Sequence, residues 1–236
     1  MGATRSMTRY AIYFVPPPAS ALAAFGAGAI GYDVAIGCAV PLHDDAAFRA
    51  LAPERYTESP ARYGFHATLR APFELAPGAS EADLEAVVAA LARDFEPVDL
   101  GRLAVTGLGN FVALTPTGTS PPVDRLAAAC LEQTEPLRAP LSAADRARRL
   151  ASHLTPRQQA SIDRWGYPYV FEDFRFHMTL TGSIADAGLR AGIASALVAL
   201  YSELDQPHAI DALTICRQPA RDQRFRVLSR HPLANG

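Results

Sequence analysis

Phe65-His66-Ala67-Thr68-Leu69 and Phe176-His177-Met178-Thr179-Leu180 repeat one arrangement, an imidazole and a hydroxyl two residues apart behind a phenylalanine. Alternate side chains of a strand share a face, so each histidine and its threonine point the same way while Ala67, Leu69, Met178 and Leu180 point into a core. Two such strands facing each other would surround one phosphate with two imidazoles and two hydroxyls. Near an ordinary pKa of about 6.5, one imidazole can accept a proton while the other donates one. For a cyclic phosphate, the neutral histidine activates water and the charged one protonates the departing sugar oxygen, while Thr68 and Thr179 bind the non-bridging oxygens.

Extended along both strands, the alternation puts Arg62, Gly64 and Arg70 on the face of His66, and Asp173, Arg175 and Thr181 on that of His177. Arg70 and Arg175 are then expected to offset the charge of a phosphorane-like transition state. Tyr63 either stacks on a base or sugar or belongs to the core. This chemistry needs no metal or cofactor, and zinc held by the two histidines lacks a third ligand at a plausible spacing.

The surrounding elements must deliver this geometry. Residues 9–15 read as a strand closed by Pro16-Pro17-Pro18, and residues 63–75 as the strand bearing the first motif. A capping box at Ser80 opens a helix striped by Leu84, Val87, Val88 and Leu91, followed by strands near 98–107 and 110–115. After the second motif the succession recurs, with a helix near 186–204 and strands near 208–216 and 224–229. The chain thus reads as α+β: duplicated strand-helix-strand-strand units whose antiparallel sheets face a central cleft about a pseudo-twofold axis. Residues 1–236 form a single bilobal domain, with a first lobe over 9–119, a helical connection over 120–166 and a second repeat over 167–232. Ser120, Ser142 and Thr155 each open a helix of the connection.

Composition narrows the chemistry. Among 236 residues all 22 basic side chains are arginine, which removes Schiff-base lysines and the P-loop lysine and leaves phosphate binding to Arg, backbone N–H groups and hydroxyls. With a net charge of −2, no global field draws the chain to long nucleic acid or an anionic membrane. Cys38, Cys130 and Cys216 are odd in number and widely spaced, and read as buried and reduced in a cytoplasmic protein. There is no apolar run of membrane-spanning length, and Met1–Ser6 fits only the permissive myristoylation pattern. His43, His153, His208 and His231 read as surface or loop residues. Arg146, Arg148 and Arg149 read as a solvated helix face, with a lid over an anionic ligand as the alternative.

On these two motifs the sequence resembles the two-histidine phosphoesterase superfamily, which implies His66 and His177 as the catalytic pair and Thr68 and Thr179 as phosphate ligands. Arg9-Tyr10-Ala11-Ile12-Tyr13-Phe14, Tyr63 to Phe73 and Arg175 to Gly182 resemble, more narrowly, the branch encoded in bacterial phosphonate-utilisation operons. The resemblance implies a bilobal α+β fold and, as partner, a small phosphorylated sugar or nucleotide, such as a cyclic ribosyl phosphate. The alternatives are cleavage or ligation at RNA 2′,3′-cyclic or 2′–5′ ends, and a phosphate or nucleotide sensor without turnover. Oligomeric state, and which histidine is acid and which base, stay open.

Overall fold

The computed structural model describes residues 8–151, 153–204 and 206–234; Met1–Ser6, with its myristoylation-like pattern, lies outside them. In chain order the elements are β1 (Arg9–Phe14), α1 (Ala21–Ile30), β2 (Tyr32–Asp33), β3 (Cys38–Ala39), α2 (Ala46–Arg49), α3 (Glu54–Tyr63), β4 (Ala67–Phe73) and α4 (Glu81–Arg93). They continue as β5 (Val98–Leu108), β6 (Phe111–Pro116), α5 (Pro121–Thr134), α6 (Ala143–Leu150), α7 (Pro156–Trp165), β7 (Met178–Thr179), α8 (Ala187–Tyr201), β8 (Pro207–Ile210), β9 (Ala212–Gln218) and β10 (Arg226–Pro232).

The local signals act as the sequence predicts. Ser80 and Asp83 exchange a reciprocal capping box at the start of α4, Thr155 and Gln158 do the same for α7, and the Ser142 hydroxyl caps α6. Each cap satisfies backbone N–H groups that a helix start leaves orphaned.

Eight strands form one antiparallel sheet in the order β10-β9-β1-β4-β7-β6-β5-β8. The two expected sheets are therefore halves of one, joined where β4 meets β7. About that joint the order is symmetric: β1 stands opposite β6, β9 opposite β5 and β10 opposite β8. Each motif strand is followed by a helix on its own half, α4 over β9 and β10, α8 over β5 and β6. The next strands then cross over, except β8, which stays at the edge of the second motif's half. β5 and β6, which follow the first motif, lie beside the second, whereas β9 and β10 lie with the first. Neither repeat completes a sheet half alone, so the halves share one core, running from Ile12, Leu69 and Leu84 through Met178 and Leu197 to Ile215.

Three expectations fail here. Arg62 and Tyr63, expected on the motif strand, instead end α3, and strand alternation begins only past Phe65. Cys38 is exposed, unlike the buried Cys130 and Cys216, because it sits in the short β2–β3 hairpin outside the core. His208 and His231 lie on the edge strands β8 and β10, bonded to the Tyr201 hydroxyl (3.0 Å) and paired with Glu85 (3.0 Å), while His43 lodges between Phe25 and Phe48 with Nε2 on the Phe25 carbonyl (2.8 Å). No helix of the described residues is long and apolar enough to cross a membrane.

Candidate active site

The joint between the sheet halves builds the site. Ala67 of β4 pairs with Met178 of β7, antiparallel. Carried one residue each way, this register sets His66 across from Thr179 and Thr68 across from His177, all four on the face opposite Ala67 and Met178. Directly opposed residues stand roughly 5 Å apart at Cβ. Both phenylalanines of the motifs, Phe65 and Phe176, are buried and anchor the approach to each strand.

The imidazoles are held alike. His66 Nδ1 lies 2.8 Å from the Gly64 carbonyl and His177 Nδ1 lies 2.8 Å from the Arg175 carbonyl, in each case two residues back. A carbonyl only accepts, so each Nδ1 carries a hydrogen and each Nε2 is left to face the cleft. His66 Nε2 lies 3.1 Å from the Thr68 hydroxyl, which donates to its lone pair. Its ring stacks on Tyr13 at 3.7 Å between centroids.

Desolvation beneath Tyr13, with a smaller contribution from the nearby His177 charge, pushes His66 down to about 4, so it is neutral at pH 7. A depressed pKa means that protonation favours the unfolded chain. The stability tied to a neutral His66 is therefore present above about 6.5 and is lost as pH falls toward 4, by roughly 3 kcal/mol over that window. We expect His66→Gln to flatten the fall in stability between pH 6.5 and 4, read as the urea midpoint at each pH; an equally steep fall in the variant would contradict the assignment.

Gly64 is required by both its backbone conformation and its surroundings. It ends α3 at φ +81°, where L side chains are strained, and a Cβ there would sit 2.3 Å from the Val34 Cβ. Its carbonyl is the one that orients His66. Gly64→Ala should destabilise the fold by about 1–3 kcal/mol and lower turnover at least tenfold, and thermal melts paired with kcat measured well below the midpoint would check both.

The other expected site residues divide. Tyr63 lines the chamber around His66, its ring 6.4 Å from the imidazole and stacked on Phe225. Arg175 is exposed at the mouth on the His177 side, with its guanidinium on the Glu172 and Phe174 carbonyls (2.8 and 2.6 Å). Arg70 is not in the site. Tyr13 pairs with Thr68 but Ile12 pairs with Arg70, so β4 carries one extra residue between them, and Arg70 leaves the face of Thr68. It is buried against Glu135 (2.9 Å) and the Trp165 carbonyl (3.3 Å). Asp173 lines the His177 chamber but is tied to Arg157 and Gln158, and Thr181 is engaged with the backbone of Val112 and Gly182.

Two chambers meet along Thr68, Ala71 and Tyr167. One holds His66, Tyr13, Tyr63 and Thr179 together with Arg9 and Arg149. The other holds His177 and Arg175 among Leu108, Phe111, Phe171 and Phe174. Arg9, Tyr13, Arg149 and Tyr167 were not expected in the site. Arg9 and Tyr13 were within reach of the sequence, since both lie in one phase of β1. Arg146, Arg148 and Arg149 read as a solvated face, with a lid as the alternative; Arg146 and Arg148 do lie outside, paired with Asp163 and Asp145, but Arg149 turns inward over the Tyr167 ring. Among the described residues no group of three or more His, Cys, Asp or Glu is placed to hold a metal ion.

Comparison with known proteins gives the chain relatives. It is 37% identical over 219 residues to a protein of Laribacter hongkongensis (strain HLHK9) named ribose 1,5-bisphosphate phosphokinase PhnN, covering 93% of this chain and 50% of that one. A protein of the same name from Janthinobacterium sp. (strain Marseille) is 37% identical over 219 residues, covering 91% and 48%. The chain thus spans about half the length of these curated relatives. Among solved structures, a chain titled as a phosphoesterase aligns over 96% of this chain and 98% of its own at 15% identity, with a TM-score of 0.43. Usb1 of Kluyveromyces marxianus aligns over 97% and 99% at 10% identity, with a TM-score of 0.40. Residues 68–226, which include Thr68 and the whole second motif, match the family described as a protein of unknown function, DUF1045, and the chain belongs to that family.

Proposed function

We propose that this protein is a phosphodiesterase of the two-histidine type, acting on a small cyclic phosphate of ribose kind. The observation that carries the reading is the crossed quartet at the β4–β7 joint, with both Nδ1 atoms tied to a carbonyl two residues back. A structural histidine has no need of a counterpart held in the same tautomer across a cleft. In the hydrolytic direction neutral His66 takes a proton from water as the water oxygen forms a bond to phosphorus. The phosphorus bond to the sugar oxygen breaks, and His177 delivers a proton to that oxygen. Thr68 and Thr179 hydrogen-bond the non-bridging oxygens. The pair then exchanges its proton with solvent.

The relatives' name, ribose 1,5-bisphosphate phosphokinase, supports a phosphorylated ribose as substrate class. It does not support a kinase in these residues, because the chain has no lysine and so no P-loop lysine.

A second reading, cleavage at an RNA 2′,3′-cyclic or 2′–5′ end, is favoured by one feature: the chamber beside His177, whose phenylalanines offer rings on which a base stacks. Turnover of 5-phosphoribosyl 1,2-cyclic phosphate, the nucleoside 2′,3′-cyclic phosphates and short 2′–5′ oligonucleotides, with excess EDTA, separates the readings. EDTA-resistant hydrolysis of the sugar phosphate supports the first, and preference for the oligonucleotides with a steep salt dependence supports the second. No turnover of any of them would overturn both.

A further inference from the structure

One wall of the His66 chamber holds more positive charge than its neighbours neutralise. Arg9 and Arg149 line it and belong also to an adjoining pocket that holds Arg70, Arg138 and Arg221. Arg70 and Arg138 share Glu135 (2.9 and 2.6 Å), and Arg221 bridges Glu74 and Asp145 (2.9 and 2.7 Å). Arg9 and Arg149 are ion-paired to no carboxylate among the described residues, and these are the two that also line the chamber with His66. Arg9 donates to the Gln218 side chain and lies over the Phe225 ring at 5.5 Å. Arg149 lies over the Tyr167 ring at 5.5 Å, and its Nε is buried with no hydrogen-bond partner among the described residues.

A third group faces the same space. The Tyr13 hydroxyl, on a fully buried side chain, also has no hydrogen-bond partner among the described residues. Leaving a buried donor unsatisfied is destabilising, and an unpaired guanidinium in a partly dry site more so. Such a cluster is stabilised by an anion, and a phosphate matches the guanidinium fork in shape and charge. The reacting phosphate does not fill this role, because to reach both imidazoles it must sit where the chambers meet at Thr68, whereas the arginine pair lines only the His66 side.

We infer that Arg9 and Arg149, with the Tyr13 hydroxyl, form a second anion subsite that holds a non-reacting phosphomonoester of the substrate. The inference rests on the phosphodiesterase reading and sharpens it: the substrate carries two phosphates, a cyclic diester between the histidines and a terminal monoester on the arginines.

The test is a discrimination ratio, kcat/KM for a ribose 1,2-cyclic phosphate bearing a 5-phosphomonoester over kcat/KM for the same ester with a free 5-hydroxyl. Wild type should favour the phosphorylated ester at least about 30-fold, which is roughly 2 kcal/mol. Arg149→Gln and, from a different element, Arg9→Gln should each bring the ratio below about 3, while Arg149→Lys keeps part of it. An unchanged ratio in both Gln variants, or an equal loss on both esters, would overturn the subsite. Calorimetric binding of ribose 5-phosphate separates the two claims. His66→Ala should bind it as wild type does, and Arg149→Gln at least tenfold more weakly. If no diester is turned over but this binding depends on Arg149, the subsite stands and the phosphodiesterase reading falls. If diesters are turned over but neither ratio nor binding depends on Arg149 or Arg9, the reverse holds.

Discussion

Alanine at His66 or at His177 should lower kcat on the cyclic diester by roughly 100- to 10,000-fold, the range spanned by one positioned acid or base. The double variant should be little slower than the worse single one, because a base without its acid, or an acid without its base, leaves the same half-reaction uncatalysed. Affinity for an uncleaved analogue should stay within about threefold, since neither Nε2 is needed to hold the phosphate that the threonines bind. Single-turnover rates and analogue titrations on the same three variants check this. A binding protein without turnover would show the opposite, losing affinity with the imidazoles. If either single variant kept near-wild-type turnover, the paired-histidine chemistry would be wrong.

The same pair sets the pH dependence. Because burial holds His66 at about 4, its neutral form is already complete at neutral pH, and the acidic limb of kcat/KM should lie below pH 5 rather than near 6.5. A limb at 6.5 that disappeared in His66→Gln would show that the chamber does not desolvate the ring.

Much of this site was legible because it rests on short-range rules. A period of two places His and Thr on one face, and the doubling of the motif with its following helix signals a repeated unit. Tyr63 fell within reach for the same reason, being next to the motif. What was not legible depends on register. Arg70 follows Thr68 by two residues, and only the extra residue that β4 inserts opposite β1 turns it from the cleft. Pro72, two residues on, was the hint, because proline inside a strand marks an edge or a bulge. Arg149 depends on how α6 docks, which charge patterning on a helix face does not encode. That the halves form one sheet, with β5 and β6 beside the second motif, is a matter of which strand finds which, set by the whole core.

Arg70 is instead the centre of the second large effect, on stability. Its guanidinium is buried, Glu135 is its only acidic partner among the described residues, and desolvation lowers it to about 10 even against the opposing pull of that carboxylate. Removing Glu135 therefore strands a buried cation, and Glu135→Ala should cost about 3–5 kcal/mol, the usual penalty for breaking a buried pair from one side. The reverse substitution is not equivalent. Glu135 also accepts from Arg138 through both carboxylate oxygens, so in Arg70→Met the carboxylate stays paired, while the methionine fills the volume and removes the Arg70 Nε that has no partner among the described residues. Arg70→Met should cost no more than about 1 kcal/mol, and its turnover should stay within about twofold of wild type, because the side chain faces away from Thr68. Chemical denaturation and kcat for the two variants decide the matter: if Arg70→Met lost activity a hundredfold with its fold intact, the guanidinium would belong to the phosphate site after all, and the extra residue in β4 would not turn it away.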